Sequence, residues 1–556
     1  MVEHWSAYPA VLKPGADLAF CDGINQFVWH TFTALPPEFG LPGDDYFAGT
    51  HINPNVTWFP QARPFLDYLG RCQWMLRRGG FVADVAAYIG DRPYQHWGRN
   101  TNWSPRATVG MVPGRGYDLL TTEALAARTV ARDGALALLA PADRGGAGRE
   151  IMRYRVLAVD LDDPEIPVEA LRRIDELAKA GVPVVVGARR PARSPGLAGQ
   201  PAADDEVRRL AASLWAKAPA EPPPKAAPDA APLDAALRGL ALPPDFEGPF
   251  EHTHRRDGGT DIYFLAGAGS GDCTFRVKDR EPELWDPVTG AIRDAVQWRP
   301  TADGRTTVPL CLPGTGSVFV VFRRPAAGAR LASVKAPAGA VEILGRDGAG
   351  AKVRAWTNGS FAAATAAGTP ARIEASGVPA PVGIPGPWTV AFEPGRGAPE
   401  SAVFETLTDW TAHADPGIRH FAGKGTYRIA FEVDAARAAL PARLQLGSLC
   451  AIAQVRLNGR DLGVIWTAPW RVDVTGALQA GRNELEIDVV SLWMNRLIGD
   501  AALPPGKRIT KTNVTLEQGK RTVKVYQGFG SEDRLMPAGL LGPVRVEFAR
   551  DTVVPL

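Results

Sequence analysis

The chain is poor in cysteine, with five in 556 residues at positions 21, 72, 273, 311 and 450 and no CxxC pair. Neither a dense disulfide framework nor a thiolate zinc site is indicated, and buried free thiols are expected. It also lacks an excess of either charge. Its 62 Lys and Arg against 60 Asp and Glu leave a net charge of +2, so nothing electrostatic draws it to nucleic acid or to an anionic membrane. No apolar run reaches the roughly 18 residues of a membrane span, and Met1 to Lys13 has no basic segment leading into an apolar one. No G-x-S-x-G, Walker A, dinucleotide-binding or H-E-x-x-H pattern occurs, so esterase, NTPase, Rossmann and zinc-protease chemistries lack their defining signal.

What is plentiful is turn-forming and aromatic residues, with 59 Gly, 49 Pro and 15 Trp. Together with 45% hydrophobic and 22% charged residues, they describe a globular, β-rich or α/β protein of about three to five domains. The opening stretch is dense in aromatics. "GINQFVWHTF" (Gly23 to Phe32) reads as a buried strand leading into the loop "PPEFGLPGDD". Phe65, Leu66, Leu69, Cys72, Gln73 and Leu76 lie at helical spacing within Pro64 to Arg78, closed by Gly79-Gly80. From residue 117 the pattern becomes α/β. "YRVLAVDL", a helix in "PEIPVEALRRIDELAKA" and "GVPVVVGA" suit a parallel βαβ unit, in a stretch with no cysteine nucleophile.

A Pro/Ala-rich linker is expected over 216–244. Period-two segments then predict a small β domain over 245–330, a β connector over 331–385 and a β-sandwich of jelly-roll type from 386 to 556. Within the sandwich, Asn458-Gly459 signals a tight turn between strands.

Neutral hydrogen-bonding groups and an indole suit a sugar ring, which offers hydroxyl edges and an apolar C–H face. Asn25, His30, His51, Asn53, Asn55 and Trp58 supply such groups near predicted loops. The bland alternative is that the histidines are structural and Trp58 is core. Glu3, Asp22, Glu38, Asp44 and Asp45 invite an acid–base reading, since glycoside cleavage uses two carboxylates. Turn or solvated positions explain them more simply, and no catalytic residue is assigned. "REPELWDPVTG" (Arg280 to Gly290) and "SLWMNRLIGD" (Ser491 to Asp500) are each a subsite wall or an interface anchor, the interface being favoured.

Taken together, "HWSAYPAVLKPGADLAFCDGINQFVWHTF", "YFAGTHINPNVTWFPQARPFLDYLGRCQWMLRRGGFVADV", "EPELWDPVTG", "GPWTVAFEPGRGAP", "GIRHFAGKGTYR", "VRLNGRDLGVIWTAPWRVDVT" and "LWMNRLIGD" resemble the glycoside hydrolase family 106 α-L-rhamnosidases. "LNGRDLGVIWTAPWRVDVT" also resembles the sugar-binding sandwich of glycoside hydrolase family 2, a galactose-binding-like fold.

The resemblance implies that residues 1–116 are the C-terminal part of a (β/α)8-type barrel, that 117–215 form an amidotransferase-like α/β domain, and that β domains follow. It implies calcium-assisted, inverting hydrolysis of terminal α-L-rhamnosyl groups of polysaccharides or glycosides, in the periplasm or outside the cell. The family's two catalytic glutamates align upstream of Met1, so the chain is expected to be an N-terminally truncated piece that is inactive alone, with calcium ligands largely outside it. Asn25, His30 and His51, then Asn53 and Trp58, carry over as the sugar-facing wall. Two alternatives stand beside this. One is a non-catalytic carbohydrate-binding protein using Trp466, Trp470 or Trp493 as a stacking platform; the other is a family 2-like hydrolase for a different sugar.

Overall fold

The computed structural model describes residues 5–30, 32–44, 52–91, 109, 112–141, 148–161, 163–216, 232–348, 350–512 and 529–556. Strands dominate and helices are few. The N-terminal region contains α1 (Pro9–Cys21) and α2 (Arg63–Leu76). Helix α2 forms where its spacing predicts, burying Phe65, Tyr68, Leu69, Cys72, Met75 and Leu76. The strand expected from Gly23 is absent among the described residues. Residues 24–30 alternate in burial but pair with no other strand. The Phe27 N–H is instead taken by the Gln73 side chain at 2.8 Å, and Val28 is 86% exposed. An alternating apolar pattern makes a ladder only when a neighbouring backbone supplies partners.

The described part of 1–116 also shows no arc of parallel barrel strands. Gly80–Phe81 pairs antiparallel with Arg255 and Arg256. Val85–Tyr88 pairs parallel with Tyr117–Leu119 on one side and Val156–Val159 on the other. With Val184–Val186 these make a four-stranded parallel sheet, so the α/β unit begins some thirty residues before the predicted boundary at 117. Helices Val168–Lys179 and Ala202–Leu214 supply Leu171, Ile174 and Val207 to the core on one face of this sheet. The other face is covered by the helix Pro232–Gly239 through Leu233 and Leu237. The second half of the expected linker is therefore a packed helix, because the i, i+4 leucines give it an apolar stripe. Residues 217–231 lie outside the described residues.

The next unit is built on two long strands, Thr260–Phe275 and Thr306–Pro325, paired antiparallel from Asp261↔Phe322 to Phe275↔Thr306 with a register shift at Gly267/Gly269. One face of this sheet carries Phe264, Phe319 and Val321, which pack with α1 and α2; the other buries Tyr263, Leu265, Phe275, Val320 and Phe322. Lys13 and Asp17 of α1 are buried and bonded to each other at 2.6 Å, and Lys13 also reaches Ser317 at 3.0 Å. Tyr68 of α2 donates to Asp17, which closes a polar weld between both helices and the sheet.

The expected connector is a module of its own, with two three-stranded sheets around Leu331, Val353, Phe361 and Ile373. Its final strand, Arg550–Pro555, comes from beyond the sandwich and pairs with Gly350–Ala355. The sandwich has a six-stranded and a four-stranded sheet closing on Trp388, Trp410 and Tyr427. Asn458 and Gly459 both adopt positive φ, 53° and 76°, at the turn between Ile452–Leu457 and Arg460–Ile465. Trp466 stands 5.3 Å from the rings of both Phe65 and Tyr68, fastening the sandwich to α2. No helix among the described residues is long and apolar enough to cross a membrane.

Candidate functional site

A cleft of about 1140 Å³ opens where the end of α1 and the coil Asp22 to Asn25 meet Phe81, residues 112–118 and the strand Glu251–Asp257. Asp22, Asn25, Asp118, Glu247, Glu251, His252 and Arg255 face into it, together with Phe81 and Phe250. Asn25 is half-buried. His252 rests against Phe246 with ring centroids 4.6 Å apart, and burial pushes its pKa down to about 4. It is therefore a neutral imidazole at pH 7. Asp118 is held by the Tyr154 hydroxyl at 2.8 Å, and Arg255 by the Arg78 and Gly79 carbonyls at 2.7 Å each.

Beneath the cleft runs a buried ionic chain. Asp84 accepts from Arg115 at 2.9 Å and from both terminal nitrogens of Arg276 at 2.9 and 2.8 Å. Arg276 also lies 3.1 Å from Asp245. Asp245 in turn holds His254 Nδ1 at 2.9 Å, and Asp261 holds His254 Nε2 at 3.0 Å. The Tyr263 ring stacks on His254 at 3.8 Å. Burial alone would disfavour the imidazolium, but Asp245 and Asp261 outweigh it and hold His254 above the ordinary histidine range. Burial would likewise raise Asp245, yet the charges of His254 and Arg276 keep it at about 2. With both nitrogens donating to carboxylates, His254 has no edge left for proton transfer to a substrate. The chain of charges clamps the α/β unit to the large sheet and shapes the cleft from below.

Of the residues singled out in the sequence, Asn25 lines the cleft. His30 is exposed on the coil beyond it, and His51, like Glu3 and Asp45, lies outside the described residues. Asn53 is fully buried and uses its Oδ1 to accept the Asn55 N–H at 3.0 Å. Trp58 is 1% exposed and donates to the Ala7 carbonyl at 2.9 Å. Neither presents a face to a sugar, so both are corrected to core positions that fix the turn before α2. Trp466 and Trp493 are also buried; Trp493 donates to the Asn55 carbonyl at 2.6 Å with Arg396 4.4 Å above its ring. The favoured interface reading of 491–500 describes what these residues do.

Sequence reasoning passed over His252, Arg115 and the His254 clamp. The available signal was the alternation of His252 and His254 on one strand ahead of Asp257-Gly258-Gly259. Among the described residues no group of three or more His, Cys, Asp or Glu side chains converges to hold a metal ion.

The cleft is walled by an amide, a neutral imidazole, carboxylates, two guanidiniums and phenyl rings, on a β-rich multidomain scaffold. The chain belongs to the glycoside hydrolase 106 family, described as alpha-L-rhamnosidase, whose model matches residues 1–299. Residues 410–542 match the glycosyl hydrolase 2 galactose-binding domain-like family. The structure is similar to that of a rhamnosidase from Novosphingobium sp. PP1Y, with a TM-score of 0.72 and 28% identity, over 98% of this chain and 46% of that one. A curated Formosa agariphila protein with a provisional beta-glucuronidase name is 24% identical over 98% of this chain. The chain spans 62% of that relative's length.

Proposed function

We propose that this chain serves in the hydrolysis of terminal α-L-rhamnosyl groups of polysaccharides or glycosides, by inversion, within a larger catalytic unit. The observation that carries the reading is that the rhamnosidase family match over 1–299 includes every residue lining the cleft. Asn25 and His252 offer uncharged donors and acceptors to sugar hydroxyls, and Phe81 and Phe250 offer apolar contact to the methyl group of a 6-deoxy sugar. Inversion requires two carboxylates about 6.5–9.5 Å apart around a water. Under this reading that pair belongs to the larger unit, of which the chain supplies the sugar-binding wall and its β scaffold. Export to the periplasm or medium belongs to the same reading, since that is where polymeric substrate is met.

The relative's name favours a second reading, a β-glucuronide substrate, whose carboxylate calls for a cation. Arg255 and Arg115 are the guanidiniums in the cleft wall, and both already donate to backbone carbonyls or Asp84, which makes the neutral sugar the better fit. The test is release of p-nitrophenol from the aryl α-L-rhamnoside and the aryl β-glucuronide, by residues 1–556 and by a chain extended upstream in frame. Rhamnoside turnover by the extended chain alone is expected, lost on EDTA treatment and reduced about tenfold or more in kcat/KM by Asn25→Ala. A preference for glucuronide, or full turnover by residues 1–556, overturns the proposal.

A further inference from the structure

A second concavity, of about 550 Å³, lies between the outer face of α2 and the hairpin formed by Arg280–Trp285 and Ile292–Asp294. It shares no lining residue with the cleft. Trp74, 59% exposed, lines it from α2, and Trp285 and Ile292, the latter 55% exposed, from the hairpin. Leu66, Met75 and Phe319 complete its apolar surface. Arg78 sits 5.0 Å over the Trp74 ring and Arg323 5.2 Å over the Trp285 ring. Neither arginine lines the groove, and a guanidinium over each ring adds a cation–π contact to both indoles. Trp285 is further held by its N–H bond to Glu283 at 2.8 Å.

The groove is formed before any ligand arrives. Arg71 Nη1 donates to the Pro287 and Val288 carbonyls at 3.1 and 3.2 Å and ties helix to turn. Asp286 stiffens that turn by accepting from the Val288 N–H and the Thr289 hydroxyl at 2.8 and 2.7 Å.

We propose that this groove is a saccharide-binding site separate from the cleft, in which sugar rings stack on Trp74 and Trp285 while the carboxylate oxygens of Asp67 and Asp286 accept from their hydroxyls and Arg71 holds helix and turn together around them. Two fixed indoles set among a guanidinium and two carboxylates match the alternating C–H faces and hydroxyl edges of a sugar chain. The volume falls in the range of about 300–1,000 Å³ that takes a small or segmental ligand. The inference goes beyond the rhamnosidase reading, because it is indifferent to which bond the family member cuts. What such a site gives a carbohydrate hydrolase is retention on the polymer, since a second attachment point raises the effective concentration of the first.

The test is affinity electrophoresis of the whole chain in native gels containing rhamnogalacturonan I, xylan or mixed-linkage β-glucan. At least one polymer is expected to retard the protein. Trp74→Ala, at an exposed position and with its melting temperature checked, is expected to weaken that binding tenfold or more, and Asp67→Ala less. Trp470→Ala, on the sandwich, is expected to leave it unchanged. No retardation by any of the three polymers overturns the proposal. So does undiminished binding by Trp74→Ala, or loss of binding in Trp470→Ala with Trp74→Ala intact. A sedimentation experiment showing that Trp74→Ala abolishes self-association would assign the groove to a second copy of the chain and overturn it as well.

Discussion

Replacing Asp84 by alanine should produce one of the largest single-residue losses of stability in this protein, for a reason that lies in how few partners the surrounding cations have. Asp84 is buried and answers Arg115 and Arg276 together. After the substitution Arg276 still has Asp245 at 3.1 Å and the Pro243 carbonyl at 3.1 Å, so its charge keeps a counterion. Arg115 keeps the carbonyls of Leu242 and Pro243 but has no other ion pair among the described residues. Orphaning a buried charge costs about 3–5 kcal/mol, so a loss near 4 kcal/mol is expected. For a cooperative unit of 150–250 residues, that lowers Tm by roughly 8–16 °C. Asp84→Asn, which preserves shape and one acceptor, should lose about half as much. Differential scanning calorimetry of the whole chain reads both. The double variant Asp84→Ala/Arg115→Met is the sharper arm, since removing the stranded cation should restore part of the loss. A drop under about 1 kcal/mol for Asp84→Ala, or a double variant less stable than the single, would refute the reasoning.

Two further outcomes follow from the same packing. His254 has a folded pKa above the unfolded value of about 6.5, so the clamp contributes fully below that pH and its contribution falls as pH rises towards the folded value. Asp245, held at about 2, contributes above the unfolded carboxylate range and is lost only in strong acid. The stability gap between wild type and His254→Gln should therefore be widest near pH 6 and narrow towards pH 9, by at most about 1.4 kcal/mol per pH unit. A gap flat across that range in thermal melts at each pH would exclude a charged His254. Trp466→Ala removes the indole lodged between Phe65 and Tyr68 and should cost about 3–5 kcal/mol. In a calorimetric scan it should split the sandwich transition from that of the N-terminal helices, and a single unchanged endotherm would contradict the role of Trp466 in fastening the sandwich to α2.

The parts of the fold that were legible from residues are those whose cause is local. Helix α2 follows from apolar residues three and four apart, and the turn at Asn458-Gly459 from the two residue types that tolerate positive φ. The βαβ unit follows from its alternation of short apolar runs and a charged helix. What escaped depends on pairing at long range. "VAAY" at 85–88 reads the same in a barrel and in an open sheet, and only its partners at 117–119 and 156–159 decide. "GINQFVWH" has a strand's alternation without a strand's neighbour.

The clamp was hidden because Asp84, Arg115, Asp245, His254 and Arg276 are scattered over nearly two hundred residues, and a charge in a strand is ordinarily solvated. Trp285 drew attention as a wall or an anchor; it lines the groove beside α2 and is bonded to Glu283 at 2.8 Å. Its companion Trp74 sits on the one face of α2 that the helical pattern marks as outward, where an isolated tryptophan attracts no notice.

The pairing of Gly350–Ala355 with Arg550–Pro555 also sets a timetable for biosynthesis. The earlier strand leaves the ribosome roughly 200 residues before its mate, about 10–40 s at ordinary elongation rates of about 5–20 residues per second. Through that interval one of its edges has no companion and is open to pairing with any nascent chain nearby. Assembly of this module must wait for the sandwich threaded between its two halves, so a stall during sandwich translation would leave that edge unpaired for longer.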